Sequence, residues 1–122
     1  MRKEVTIGSQ TLSLASNGAT PIRYKLVFGS DLMVELNQMN KGTRDEGEAL
    51  DMISRLAFIM YMQGTADKSI WPSINKESYM EFLEDFEAMD FANASGEIMN
   101  IYLGQSAGTS TPKKEEGLQT EK

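Results

Sequence analysis

No cysteine and no histidine occur among the 122 residues. Without cysteine there is neither a disulfide framework nor a thiolate nucleophile. Without histidine the commonest general base and the commonest metal ligand are missing, and zinc sites built from these two residue types are excluded. No apolar run approaches the roughly 20 residues that span a bilayer. The opening Met-Arg-Lys-Glu-Val-Thr carries charge but no apolar stretch of the secretory kind. A surplus of positive charge is absent too: the net charge is −6, the basic residues are scattered, and the densest charged run, Glu77 to Asp90, is acidic. Nucleic-acid binders gather Lys and Arg to displace counterions, so that class is disfavoured. Gly42 to Gly47 is not followed by the Lys-Ser/Thr of a phosphate loop. The expectation is a cytoplasmic protein with no cofactor, no metal, no nucleic acid and no membrane partner.

What is abundant is methionine, nine residues against one Trp and five Phe. Around these the chain reads as one small, mainly α domain of about five helices with an N-terminal β-hairpin. Val5 and Ile7 alternate with Glu4 and Thr6, Gly8-Ser9 punctuates, and Leu12 and Leu14 alternate with Thr11 and Ser13. Thr20-Pro21 suits a helix start, with Thr20 as cap, Pro21 in the first turn, Tyr24, Val27 and Phe28 on one face and Gly29 as the stop. Ser30-Asp31 caps a second helix whose stripe is Leu32, Met33, Leu36 and Met39. A third helix is expected from Asp45 to Gln63. Its run Leu56 to Met62 is apolar almost all round, the mark of a central helix or of one with a second partner. After a loop in which Trp71-Pro72 is expected to pin against the core, a fourth helix is expected over 76–89, with Tyr79, Phe82, Leu83, Phe86 and Met89 inward. A fifth is expected over 93–103, with Ala94, Ile98, Ile101 and Tyr102 inward. The helical domain thus covers 1–103, and the Gly, Ser, Thr, Lys and Glu of 104–122 read as a disordered tail.

Two clusters invite a functional reading. Glu81, Glu84 and Asp85 share a helix face, but no loop oxygens around a Gly turn accompany them as calcium requires. A solvated acidic face explains them, and an acidic surface for a basic partner is the alternative. Nothing in the pattern sets an acid on an apolar stripe, so paired-carboxylate catalysis has no support and no catalytic residue is assigned. The methionines fill gaps in cores but also serve surfaces that accommodate varied apolar partners. Met60 and Met62 lie about 200° apart on one helix, which leaves at least one of them free for a neighbour. Phe58, Met60, Met62, Met33 and Met39 are therefore the candidate residues for partner binding or self-association.

The run Ala19-Thr20-Pro21-Ile22-Arg23-Tyr24-Lys25-Leu26-Val27-Phe28-Gly29-Ser30-Asp31-Leu32 resembles the tail assembly chaperones of long-tailed phages and prophages. In that family a short strand pair leads into such a segment, then come a helix like Leu56 to Met60 and an acidic amphipathic helix like Glu77 to Glu87. The resemblance spans residues 3 to 103. It implies a small, non-catalytic helical protein that coats the apolar tape measure protein in the bacterial host cytoplasm before the tail tube polymerises. It also implies a homo-oligomer, partnered in many members by a frameshift-extended form of the same chain. Two other readings stand beside it: a structural tail or head–tail component that stays in the virion, and an acidic regulator of a basic host protein.

Overall fold

The computed structural model describes residues 1–42, 45–65 and 74–107. Strand β1 (Arg2–Ile7) pairs antiparallel with β2 (Gln10–Ala15) in the register Val5↔Leu12, across a two-residue turn in which Gly8 takes a positive φ of 63°. Helices α1 (Thr20–Phe28), α2 (Leu32–Asn40), α3 (Glu46–Gly64), α4 (Lys76–Leu83) and α5 (Asp90–Ala107) follow. The expected fold class, mainly helical with an N-terminal hairpin, is the one observed.

Local chemistry explains most of the boundaries. Gly29 ends α1 in the left-handed region at φ 75°, its N–H donating to the Lys25 carbonyl. The Asp31 carboxylate accepts the N–H groups of Met33 and Val34 and starts α2. Asp45 and Glu48 form a reciprocal capping box at the head of α3, and Asn75 and Ser78 form another at the head of α4. Thr20 does not cap α1 as expected. Ala19 holds the cap position, and the buried Thr20 hydroxyl instead accepts from Asn17 N–H and the Gln63 amide.

The core forms where the hairpin lies across α3 and α5. Val5, Ile7, Leu12 and Leu14 meet Leu56, Met60, Ile98 and Ile101, all buried. Helix α3 touches β2, α5, α1, α2 and α4. This enclosure explains why Leu56 to Met62 is apolar on every side: each face has a neighbour within the chain. Arg2 reaches the Gly64 carbonyl at 2.6 Å, and the Gly64 backbone lies so close to Ser13 that an added Cβ would stand 2.0 Å from the Ser13 carbonyl oxygen.

Three boundaries move by three residues or more. Helix α4 stops at Leu83 rather than Met89, and α5 starts at Asp90 rather than Asn93. Acidic Glu84, Asp85 and Glu87 would crowd the negative end of a longer α4. The chain turns there instead, with the Asp90 carboxylate accepting Glu87 N–H at 2.8 Å and Phe86 packing on Phe82 and Phe91. At its other end α5 continues through Gly104 to Ala107, past the expected tail boundary. Residues 108–122 lie outside the described residues, as do Trp71 and Pro72.

Candidate functional site

Of the five candidate residues, the structure removes three from the surface. Phe58 (1% exposed) and Met60 (0%) are fully buried, and Met62 is 8% exposed. The expectation that Met60 or Met62 is free for a neighbour is thereby corrected. The two side chains do point apart, but α3 is surrounded, so opposite faces are both interior. Phe58 packs edge-on or tilted against Phe28, Tyr79 and Phe82.

The other two, Met33 and Met39, lie on α2 and line one groove. Met33 is 57% exposed, and Met39 is half-buried. The groove between α2 and α5 encloses about 740 Å³, with Met33, Val34, Leu36, Met39, Met99 and Leu103 as its apolar walls. A second groove of about 490 Å³ adjoins it, where Met39 and Met99 meet Leu50, Ile53, Met89 and Ala92. Met39 and Met99 line both, so the two grooves lie next to each other between α2, α3 and α5 and together make up a trough. Tyr102 donates from its hydroxyl to the Met33 sulfur at 3.3 Å and ties α5 to α2 at one end.

Sequence reasoning missed the α5 wall of this trough. Met89, Ala92, Gly96, Met99 and Leu103 follow one another at steps of three and four, the spacing of a helix seam. They form a second stripe, separate from the buried Phe91, Ala94, Ile98 and Ile101. Met89 stands at the head of α5, its carbonyl accepting Asn93 N–H. The spacing was present in the sequence, but assigning Met89 to the end of α4 split it between two elements. Polar groups on the α2 and α3 side of the trough are Asp31, Asn37, Gln38, Asn40, Lys41 and Glu46.

A second feature was also missed. Glu35 is 5% exposed and sits on the apolar stripe of α2 between Leu32 and Leu36. Tyr24 donates its hydroxyl to the Glu35 carboxylate at 2.5 Å, and Arg55 approaches it at 3.7 Å while lying over the Tyr24 and Phe28 rings. Burial first, and then the hydrogen bond to Glu35, pushes the Tyr24 hydroxyl far above the ordinary phenol range. Burial likewise raises Tyr79, which shares a 2.7 Å hydrogen bond with Ser54, and Tyr102. The expectation that no acid lies on an apolar stripe is therefore wrong for Glu35. The carboxylate is held by partners on two helices, and it lines neither part of the trough.

Glu81, Glu84 and Asp85 are exposed. Among the described residues no three carboxylates converge as metal ligands, and no helix is long and apolar enough to cross a membrane. A smaller groove of about 210 Å³ lies between α1 and α3, lined by Leu26, Val27, Ile59, Met62 and Ile74, with Arg23 donating to Gln63 at 2.8 Å on its edge. Compared with known proteins, the chain matches no family model, no curated protein and no solved structure.

Proposed function

We propose that the chain is a non-catalytic assembly chaperone of a bacteriophage tail, which holds the apolar tape measure protein in the host cytoplasm until the tail tube forms around it. The observation that carries this reading is the methionine-lined trough between α2, α3 and α5. Its walls are apolar, its rim mixes the amides Asn37, Gln38 and Asn40 with the charged Asp31, Lys41 and Glu46, and four of the nine methionines, Met33, Met39, Met89 and Met99, line it. A thioether re-packs against differently shaped side chains at little cost, which suits a protein that must accept successive segments of a long client. The resemblance of Ala19 to Leu32 to tail assembly chaperones supplies the identity of that client. Self-association of the chain would draw on the outer edges of the two-stranded sheet, since Phe58, Ile59, Met60 and Met62 are buried within one chain.

Co-expression tests the reading. A tape measure fragment that is insoluble alone should become soluble with this chain. The complex should persist at high salt, because apolar burial of about 25 cal/mol per Å² is not screened by ions. A fragment that stays insoluble, or a complex that dissociates at moderate salt, contradicts it.

A further inference from the structure

The outer stripe of α5 spans Met89 to Leu103, which corresponds to a rise of about 21 Å, or four helical turns. Steps of three and four along this length are the repeat by which one helix packs into another. The facing wall, from Met33 and Met39 on α2 to Leu50 and Ile53 on α3, makes the seam a trough rather than a flat face. Midway along it stands Gly96, where an added Cβ would meet no atom of the described residues within 4 Å. Glycine in a helix interior is unfavourable, and no packing among the described residues calls for it. It lets a backbone from outside approach α5 closely.

Charge argues against a second copy as the occupant. Each chain carries −6, and Asp31 and Glu46 outnumber Lys41 around the trough. Two copies would bring like charge to like charge, whereas a neutral or basic segment meets a favourable field.

We propose, resting on the chaperone reading for the identity of the client, that the trough seats one α-helix of about four turns from another protein. This helix is neutral or basic on its flanks, presents an apolar stripe at the same steps of three and four, and passes its backbone closest at Gly96. The client is thus recognised as a preformed helical stripe and not as extended chain added to the hairpin edge.

The test uses the full chain and a dye-labelled synthetic amphipathic helix of about 18 residues, long enough to populate helix in water. The peptide carries leucine at steps of three and four and lysine on the opposite face. A scrambled peptide of equal composition serves as the second probe. The parent should bind the striped peptide at least tenfold more tightly than the scrambled one. Gly96→Arg should weaken binding at least tenfold with no fall in melting temperature, because the new side chain enters the trough and not the core. Leu103→Glu, at the far end of the trough, should weaken it as well, and Leu26→Glu, on the exposed face of α1, should leave it unchanged. Equal binding of both peptides, parent-like binding by both trough variants, or a peptide-free dimer that Gly96→Arg dissociates would overturn the proposal. A tape measure fragment rescued equally by the parent and by Gly96→Arg also overturns it while leaving the chaperone reading intact. Selective peptide binding without rescue of the fragment supports the trough and removes the tape measure protein as its client.

Discussion

Helix α5 carries two apolar stripes, and they differ in what covers them. Phe91, Ala94, Ile98 and Ile101 are at most 4% exposed and pack into the single core. On the other stripe Met89 is 60% exposed and Leu103 is 47% exposed. The residue types differ accordingly. Beside one alanine each, the covered stripe has shape-specific Phe91, Ile98 and Ile101, while the open one has Leu103, the adaptable Met89 and Met99, and Gly96, which leaves space. Amphipathic periodicity reports that a face avoids water. It does not report whether the cover comes from the same chain.

The largest expected effect comes from breaking the covered stripe. Ile98→Ala should destabilise by about 2–5 kcal/mol, through lost burial and the cavity left behind. Leu103→Ala should stay within about 0.5 kcal/mol, as for most exposed positions. Urea titrations of both variants measure the contrast, and equal losses would mean that the two stripes are packed alike.

Two glycines sharpen the comparison. At Gly64 the backbone of β2 leaves no room, so Gly64→Ala should cost about 1–3 kcal/mol as α3 and the hairpin are forced apart. At Gly96 the space is open, and Gly96→Ala should stabilise the isolated chain by about 0.5–1 kcal/mol. Opposite signs in thermal melts are the expected outcome. A destabilised Gly96→Ala would indicate that this face is already occupied within the chain.

Polar burial follows the same division. Tyr24→Phe removes the hydroxyl that satisfies Glu35 and should cost about 1–3 kcal/mol. The raised Tyr24, Tyr79 and Tyr102 also fix a pH dependence. Unfolded tyrosines lose their protons near pH ~10, while the folded ones retain them, so the unfolded state binds fewer protons above that pH. Their contribution is fully present below that range and falls as pH rises through it. Equilibrium unfolding between neutral and strongly alkaline pH should show this fall, with a shallower slope in Tyr24→Phe. No change in slope would mean that the Tyr24 hydroxyl titrates alike in both states.

The elements with local signatures were legible in the sequence: the alternating hairpin, the Gly29 stop, the Asp31 cap, and the inward stripe of Ala94, Ile98, Ile101 and Tyr102. What depended on neighbours was not. Nothing local to Glu35 announces that Tyr24 and Arg55, from two other helices, will satisfy it. Periodicity along α3 showed that Met60 and Met62 point apart, but it could not count the five elements that α3 touches. Of the candidate site, Met33 and Met39 were legible. The facing stripe was hidden by the turn at Glu84 to Met89, where the Asp90 carboxylate and the packing of Phe86 end the acidic helix without a Gly or Pro to mark the break.

Amide hydrogen exchange on the chain with and without a bound tape measure fragment tests the central claim most directly. Protection should rise along α2 and along α5 from Met89 to Leu103, and the hairpin should exchange as it does in the free chain. Protection gained on β1 or along the exposed face of α1, with α5 unchanged, would contradict it.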